Sequence, residues 1–469
     1  MRSSRIVRRG GLVMVALLAG AMSSAAQSAG ARDTARLPAR PPAPLSTEFF
    51  GDTTLARLTA EALRANRDVV VAQSRVRQAQ AYRLNAALEL APTITVAGGF
   101  TRQRLSQAQF GLEIPDRSLW DTELRAAWEL DVFGRLRKNL RGQNALTESA
   151  REDVREMGRV ITAELATAYY EFRGAQDHLL VAERNAENQR RTLQLTRNRL
   201  EAGRGTAFDT ERAQAQLSST QALIPVFESR IAAARHRIGV LVGRDPGLVA
   251  QELGPPCVTE EMTDTCAVPE LPAEILAGDL DSLIRYRPDV RAAERRLAAE
   301  GAFVGAAKAD YLPRLSLGGT AGFTSTAFDS LGNSGSGRYA VGPVVTWPLL
   351  NLGRVKANVD AARALEAEAR ARYEQTVLLA REEVETARVA YAKTRERLTQ
   401  LEAAAGASSR AAELARLRCE GGVTDFLQVL DAERSLLAAQ DQLAQGRTDA
   451  VTALVALYRA TGGGVTGTR

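Results

Sequence analysis

From Leu136 to Ile224 the chain contains no proline, and the part up to Glu201 alone is 66 residues of unbroken helical pattern. At 1.5 Å per residue that is a rod of roughly 100 Å, several times longer than an ordinary globular helix. No compact domain can bury it. Apolar or small residues recur at Val154, Met157, Ile161, Leu165, Ala168, Phe172, Ala175, Leu179, Ala182, Ala186, Leu193, Thr196 and Leu200, with Gln189 as one polar interruption. Alternating steps of three and four form the heptad repeat that lets helices pack side by side over long distances.

The rod has a second copy. Trp128 recurs at Trp347, Gly134-Arg135 at Gly353-Arg354, and Arg199-x-Glu201-x-Gly203 at Arg418-x-Glu420-x-Gly422, all at an offset of 219 (347 − 128). The shifted seam runs from Tyr373 through Thr376, Ala380, Val384, Ala387, Tyr391, Thr394, Leu398, Leu401, Ala405, Ala412 and Ala415 to Cys419. The duplication, rather than total length, sets the architecture.

Arg2, Arg5, Arg8 and Arg9 precede an apolar run from Gly11 to Ala21, followed by Ser24-Ala25-Ala26. That is the pattern of a secretory signal. Elsewhere no apolar run approaches the 20 residues of a spanning helix, so if the chain spans a membrane it must do so with strands. The net charge of +6 comes from arginines spread among nearly as many acids, which reads as solvated helix faces and gives no nucleic-acid surface. The expected organisation is signal peptide 1–26, extended Pro-rich segment 27–50, first repeat 51–242, equatorial linker 243–278, second repeat 279–463 and tail 464–469. The Pro-rich segment reads as a flexible leader or an extended strap.

Each repeat reads as a short helix, a β-hairpin, the long rod and a return helix. Helices are expected over Leu55 to about Glu89, Phe208 to Val242 and Asp279 to Lys308. Strands with period two are expected at Thr93–Thr101, Leu124–Val132, Leu315–Phe323 and Tyr339–Leu349. The second strand places Leu124, Ala126, Trp128, Leu130 and Val132 on one face and Arg125, Glu129 and Asp131 on the other, the lipid-and-lumen alternation of an outer-membrane barrel. Trp128 and Trp347 suit an interfacial aromatic belt against outer-membrane lipid, with two buried tryptophans as the alternative. Gly203, Gly205, Gly421 and Gly422 suit helix reversals. Cys257 and Cys266, close in sequence and in an oxidising compartment, are read as a structural disulfide. His178 and His236 are read as surface residues, and neither a metal nor another cofactor is expected.

Four strands cannot close a membrane barrel, which takes at least about eight. Two chains would supply eight strands with little lumen, and three supply about twelve around a passage for solutes. A homotrimer is expected.

Leu283-Ile-Arg-Tyr-Arg-Pro-Asp-Val-Arg-Ala-Ala-Glu294, the paired Trp…Gly-Arg joints, Leu241-Val-Gly-Arg-Asp-Pro246 and Gly421-Gly-Val-Thr-Asp-Phe-Leu-Gln-Val-Leu-Asp-Ala-Glu433 together resemble the TolC-like outer-membrane factors. The resemblance is strongest to the branch serving resistance-nodulation-division (RND) efflux pumps. It implies an α+β membrane protein: a trimeric 12-stranded outer-membrane β-barrel, four strands per chain, continued by a long α-helical periplasmic barrel. Its function would be that of an exit duct, with a periplasmic adaptor and an inner-membrane RND transporter as partners. A type I protein-secretion duct is the alternative, and a coiled-coil scaffold without a pore a more distant one. Many members carry a lipidated cysteine after the signal, but the first cysteine here is Cys257, so that anchor does not carry over.

In the family the tunnel narrows at its periplasmic tip, at positions matching Leu427 and Asp431, one helical turn apart. In a trimer each becomes a ring, and a carboxylate ring would favour cations. An ordinary solvated acid is the other reading of Asp431. Its counterpart in the first half is Arg212 (431 − 219), expected to pair with it when the tip is shut. Docking of the adaptor at the glycine turns is likewise implied by the resemblance. No nucleophile elbow, P-loop or histidine-rich cluster is present, so an enzyme is not expected.

Overall fold

A computed structural model of the chain describes residues 52–104, 108, 111, 115–253, 280–421 and 423–462. The expected signal peptide, the Pro-rich segment, the Cys257 and Cys266 pair, Gly422 and the tail lie outside the described residues.

In chain order the elements begin with α1 (Thr53–Ala65), α2 (Arg67–Leu88), β1 (Thr93–Gln103), β2 (Arg117–Leu130) and α3 (Arg135–Glu201). There follow α4 (Ala207–Gln221), α5 (Ile224–Val242), α6 (Pro246–Glu252), α7 (Leu280–Tyr286) and α8 (Pro288–Ala309). The second hairpin is β3 (Arg314–Ser325) and β4 (Gly337–Thr346), and α9 (Leu352–Glu420) and α10 (Phe426–Ala460) complete the second half. The two rods are unbroken helices of 67 and 69 residues, each about 100 Å long.

Three helices expected as single pieces are divided, for local reasons. The Phe208 to Val242 stretch breaks after Gln221, because Pro225 has no N–H to return to the Gln221 carbonyl and its ring crowds that turn. Pro288 likewise drives Arg287 out of helical conformation and separates α7 from α8. Between α1 and α2 no proline intervenes. There the Asn66 side chain accepts the N–H groups of Asp68 (2.8 Å) and Val69 (3.3 Å), opening a new helix instead of continuing the old one.

The packing forms two compact units. One holds the sheet and its adjoining helical segments, Gln78–Thr147 and Arg295–Arg370; the other holds the remaining described helices, chiefly Glu148–Glu294 and Ala371–Arg469. Each unit draws on both halves of the duplicated sequence. In the helical unit the core is built on the first seam, with Ile161, Leu165, Phe172, Leu179 and Ala182 buried against Ile238 and Val242 of α5 and Val451 and Leu454 of α10. Leu200 departs from that expectation and is 38% exposed, since it sits in the last turn of its helix. His178 also departs: it is buried, stacked on Phe227 at 5.1 Å, with its Nδ1 2.6 Å from the Asp441 carboxylate. Such a helix-packing site is available to a histidine because one ring face is apolar and the polar edge finds a partner. His236 is exposed, as expected.

Candidate functional site

The four strands form one antiparallel sheet in the order β1-β2-β3-β4. Because side chains alternate, the register sorts every residue to one face or the other. Rows Ile94–Ala126–Gly319–Val341, Val96–Leu124–Ala321–Tyr339, Trp128–Leu317–Pro343 and Leu130–Leu315–Val345 fall on one side. That side is apolar and open: Val96 is 76% exposed and Tyr339 84%. The opposite side carries Thr95, Asp121, Glu123, Arg125, Thr320 and Arg338. Both faces are exposed in the single chain, and a sheet with one continuous apolar face and one polar face lacks the core that would cover the apolar side in a water-soluble fold and matches a membrane barrel wall.

Trp128 and Trp347 are 37% and 49% exposed. Their indole N–H groups donate to the carbonyls of Leu90 (2.9 Å) and Tyr311 (3.1 Å), each the residue three before its hairpin's first strand. The tie satisfies the polar edge and leaves the ring surface outward. Trp347 lies one residue past β4 rather than within it, and Asp131 and Val132 lie past β2. Asp131 instead caps α3, accepting the N–H groups of Leu136 and Arg137, both at 3.0 Å. Burial opposes its charge, but those N–H groups and the Arg137 guanidinium outweigh burial and hold its carboxyl below the usual range.

At the far end of the strands Trp120 packs on Phe100 (4.6 Å between centroids) and Phe328 (5.0 Å). This second aromatic group was not anticipated, although Trp120 shares the parity of Trp128 eight residues on. Eight residues at about 3.3 Å, tilted about 40°, separate the two by about 20 Å along the membrane normal, close to the height of a lipid-facing band.

The helical unit ends in two reversals. After α3, Gly203 adopts φ +70°, where an L side chain would be strained, and the Arg204 N–H closes onto the Arg199 carbonyl at 2.8 Å. The second turn repeats this closure from Val423 to Arg418 at 2.9 Å, at the same offset of 219 (423 − 204). A Cβ on Gly205 would lie 3.2 Å from the Leu200 backbone nitrogen, a tight approach, while Gly421 is exposed at the end of α9. The capping box of Thr206 with Asp209 starts α4.

Arg212, Leu427 and Asp431 line one groove of about 450 Å³, together with Ser408 and Gln428. The three expected residues therefore meet, and the two charged ones are exposed without being ion-paired to each other in the single chain. Just above, the buried Glu433 accepts from Thr192 (3.0 Å) and Arg416 (3.1 Å), linking α3, α9 and α10. Among the described residues no helix is long and apolar enough to cross a membrane, and no group of metal-ligating side chains occurs.

A lipid-compatible sheet joined to duplicated helical rods defines an α+β outer-membrane channel protein. The chain belongs to the outer membrane efflux protein family, whose model matches residues 58–244 and 280–463. It is 31% identical over 431 residues to the outer membrane protein OprJ of Pseudomonas aeruginosa, covering 89% of this chain and 85% of that one. It is 31% identical over 425 residues to the toluene efflux pump outer membrane protein TtgI of Pseudomonas putida, covering 90% and 87%. Among solved structures it resembles the outer-membrane channel OprN, with 38% identity, TM-score 0.81 and coverage of 92% and 97%. The open state of the Neisseria gonorrhoeae MtrE outer membrane channel is similar at 27% identity, TM-score 0.77 and coverage of 87% and 89%. The protein is an efflux channel component of the outer membrane, not an enzyme.

Proposed function

We propose that three copies of this chain close a twelve-stranded barrel in outer-membrane lipid and form the exit duct of a tripartite efflux system, receiving small molecules from an RND transporter through a periplasmic adaptor. The observation that carries this reading is the combination of an exposed apolar sheet face with unpaired outer edges on β1 and β4. An open edge in hydrocarbon leaves backbone groups without partners, so the edges must meet other strands. The rods give independent support. Large apolar residues left exposed on α3 are confined to Leu195 and Leu200, whereas α9 exposes Leu365, Leu378, Leu379, Val389, Leu414 and Leu417, a face suited to a neighbouring copy.

In this reading Trp128 and Trp347 form the periplasmic aromatic belt. Arg212, Leu427 and Asp431 form the gate, and the turns at Gly203, Gly205, Gly421 and Gly422 meet the adaptor. The test is isolation from the outer-membrane fraction: a heat-modifiable trimer that conducts in planar bilayers is expected. A monomer that neither inserts nor conducts overturns the reading.

A further inference from the structure

The polar face of the sheet carries one feature that a water-filled wall does not require. Glu123 is buried on that face of β2, with its side chain 10% exposed, and two arginines converge on its carboxylate. Arg125 comes from the same strand. Arg338 comes from β4, two strands away, and reaches Glu123 Oε2 at 2.8 Å across β3. The crossing is possible because Gly322 stands between them in the row Glu123–Gly322–Arg338. A Cβ there would lie 2.1 Å from the Thr122 carbonyl oxygen and 2.9 Å from Glu123 Cβ. The guanidinium-bearing side chains remain 61% and 48% exposed. Two cations thus face solvent on the polar side while their shared anion lies beneath them.

We propose that Arg125 and Arg338, held by Glu123, form a guanidinium ring in the barrel lumen that biases passage toward anionic solutes, a specificity element separate from the tip. This rests on the trimeric-duct reading. Twelve strands about 4.8 Å apart and tilted about 40° enclose a backbone radius of about 12 Å, and an arginine reaches several ångströms inward. The Debye length is about 10 Å at 0.1 M salt, so the field of such a ring extends across the remaining aperture. Asp121, one row outward and opposite Gly99, is the nearest other lumen-side acid on the same strand, and Glu129 further down is engaged by Arg135.

The test is the reversal potential of the reconstituted trimer in a KCl gradient. Removing either cation uncovers the carboxylate, so Arg338→Gln and Arg125→Gln should each lower the chloride-to-potassium permeability ratio by about twofold. Glu123→Gln should raise it, and Arg338→Lys, which keeps the charge, should leave it near the wild-type value. Shifts of opposite sign separate a charge effect from distortion of the wall, which would move all variants alike. If Glu123→Gln fails to assemble, the three arginine variants still decide the matter. Normal channels with an unmoved ratio in both glutamine variants at the arginines, or an Arg338→Lys shift as large as that of Arg338→Gln, overturn the ring. A wild-type protein that conducts nothing removes the duct reading itself, a different result.

Discussion

Asn66 and Arg287 hold equivalent places in the two repeats, 221 residues apart (287 − 66), and each donates a side-chain hydrogen bond to the end of a returning helix. Asn66 Nδ2 reaches the Leu241 carbonyl at 2.8 Å, and Arg287 Nη1 reaches that of Ala460 at 2.7 Å; the acceptors are 219 apart (460 − 241). Both donors are buried, so each satisfies a carbonyl that the helix end leaves free. The joint is duplicated but its chemistry is not. Arg287 also binds Asp289 and Glu383, each at 2.7 Å, where Asn66 uses only its own amide.

Arg287→Ala should therefore cost more than Asn66→Ala, roughly 3 kcal/mol against roughly 1–2, because it orphans a carbonyl and also removes the cation shared by Asp289 and Glu383, leaving Glu383 only the longer contact to Arg459 at 3.6 Å. Burial opposes ionisation of Asp289, but the Arg287 hydrogen bonds outweigh it and hold the carboxyl below its ordinary 3.8. A depressed folded-state value gives stability that is complete above about pH 4 and is lost as pH falls through the depressed value. The gap between wild type and Arg287→Ala in thermal melts followed by circular dichroism should therefore narrow only below about pH 4. A gap unchanged into strong acid would contradict the assigned ion pair.

Gly174 on α3 faces Thr448 on α10 so closely that an added Cβ would lie 2.1 Å from the threonine Oγ1. Glycine to alanine inside a helix ordinarily stabilises by about 1 kcal/mol. Here the sign should reverse, with Gly174→Ala costing about 2 kcal/mol by overpacking. Adding Thr448→Ala should recover most of that loss, and the cycle can be read by denaturant unfolding in detergent.

The chain has three tryptophans, and all are accounted for: Trp128 and Trp347 at one end of the strands, Trp120 at the other. Variants retaining one tryptophan each, with phenylalanine at the other two positions, should be quenched by brominated lipid chains and protected from aqueous iodide. Iodide access equal to that of a free indole would place these side chains in the lumen instead.

Asp431 and Arg212 line one groove near the helical turns. If the tip closes by bringing them together, Asp431→Ala should raise single-channel conductance roughly twofold, since a charged contact and its steric bulk are both removed. Arg212→Ala should do the same, and unchanged conductance in both variants would sink the gate.

The α+β architecture was legible because its signals are periodic. Sixty-odd residues without proline, with small residues at heptad spacing, leave little choice but a rod, and α3 begins within one residue of expectation. Period-two alternation found the four strands in the same way, though β2 begins seven residues earlier than expected, at Arg117. Pro225 and Pro288 stand in the sequence, yet the expected single helices ran through both, and the observed breaks fall there. The break at Asn66 was not legible, since an asparagine inside a helical pattern caps only if a partner such as the Leu241 carbonyl waits for its amide.

Chain order and residue spacing alone therefore determined the duplicated plan, the two-faced sheet and the reversals, because these depend on local periods and on backbone conformations that few residues tolerate. Tertiary structure decided the rest. That His178 is buried, that Arg338 meets Glu123 over Gly322, and that Arg212 shares a groove with Asp431 all depend on which elements become neighbours. Contacts between residues more than 200 positions apart leave no periodic trace along the chain.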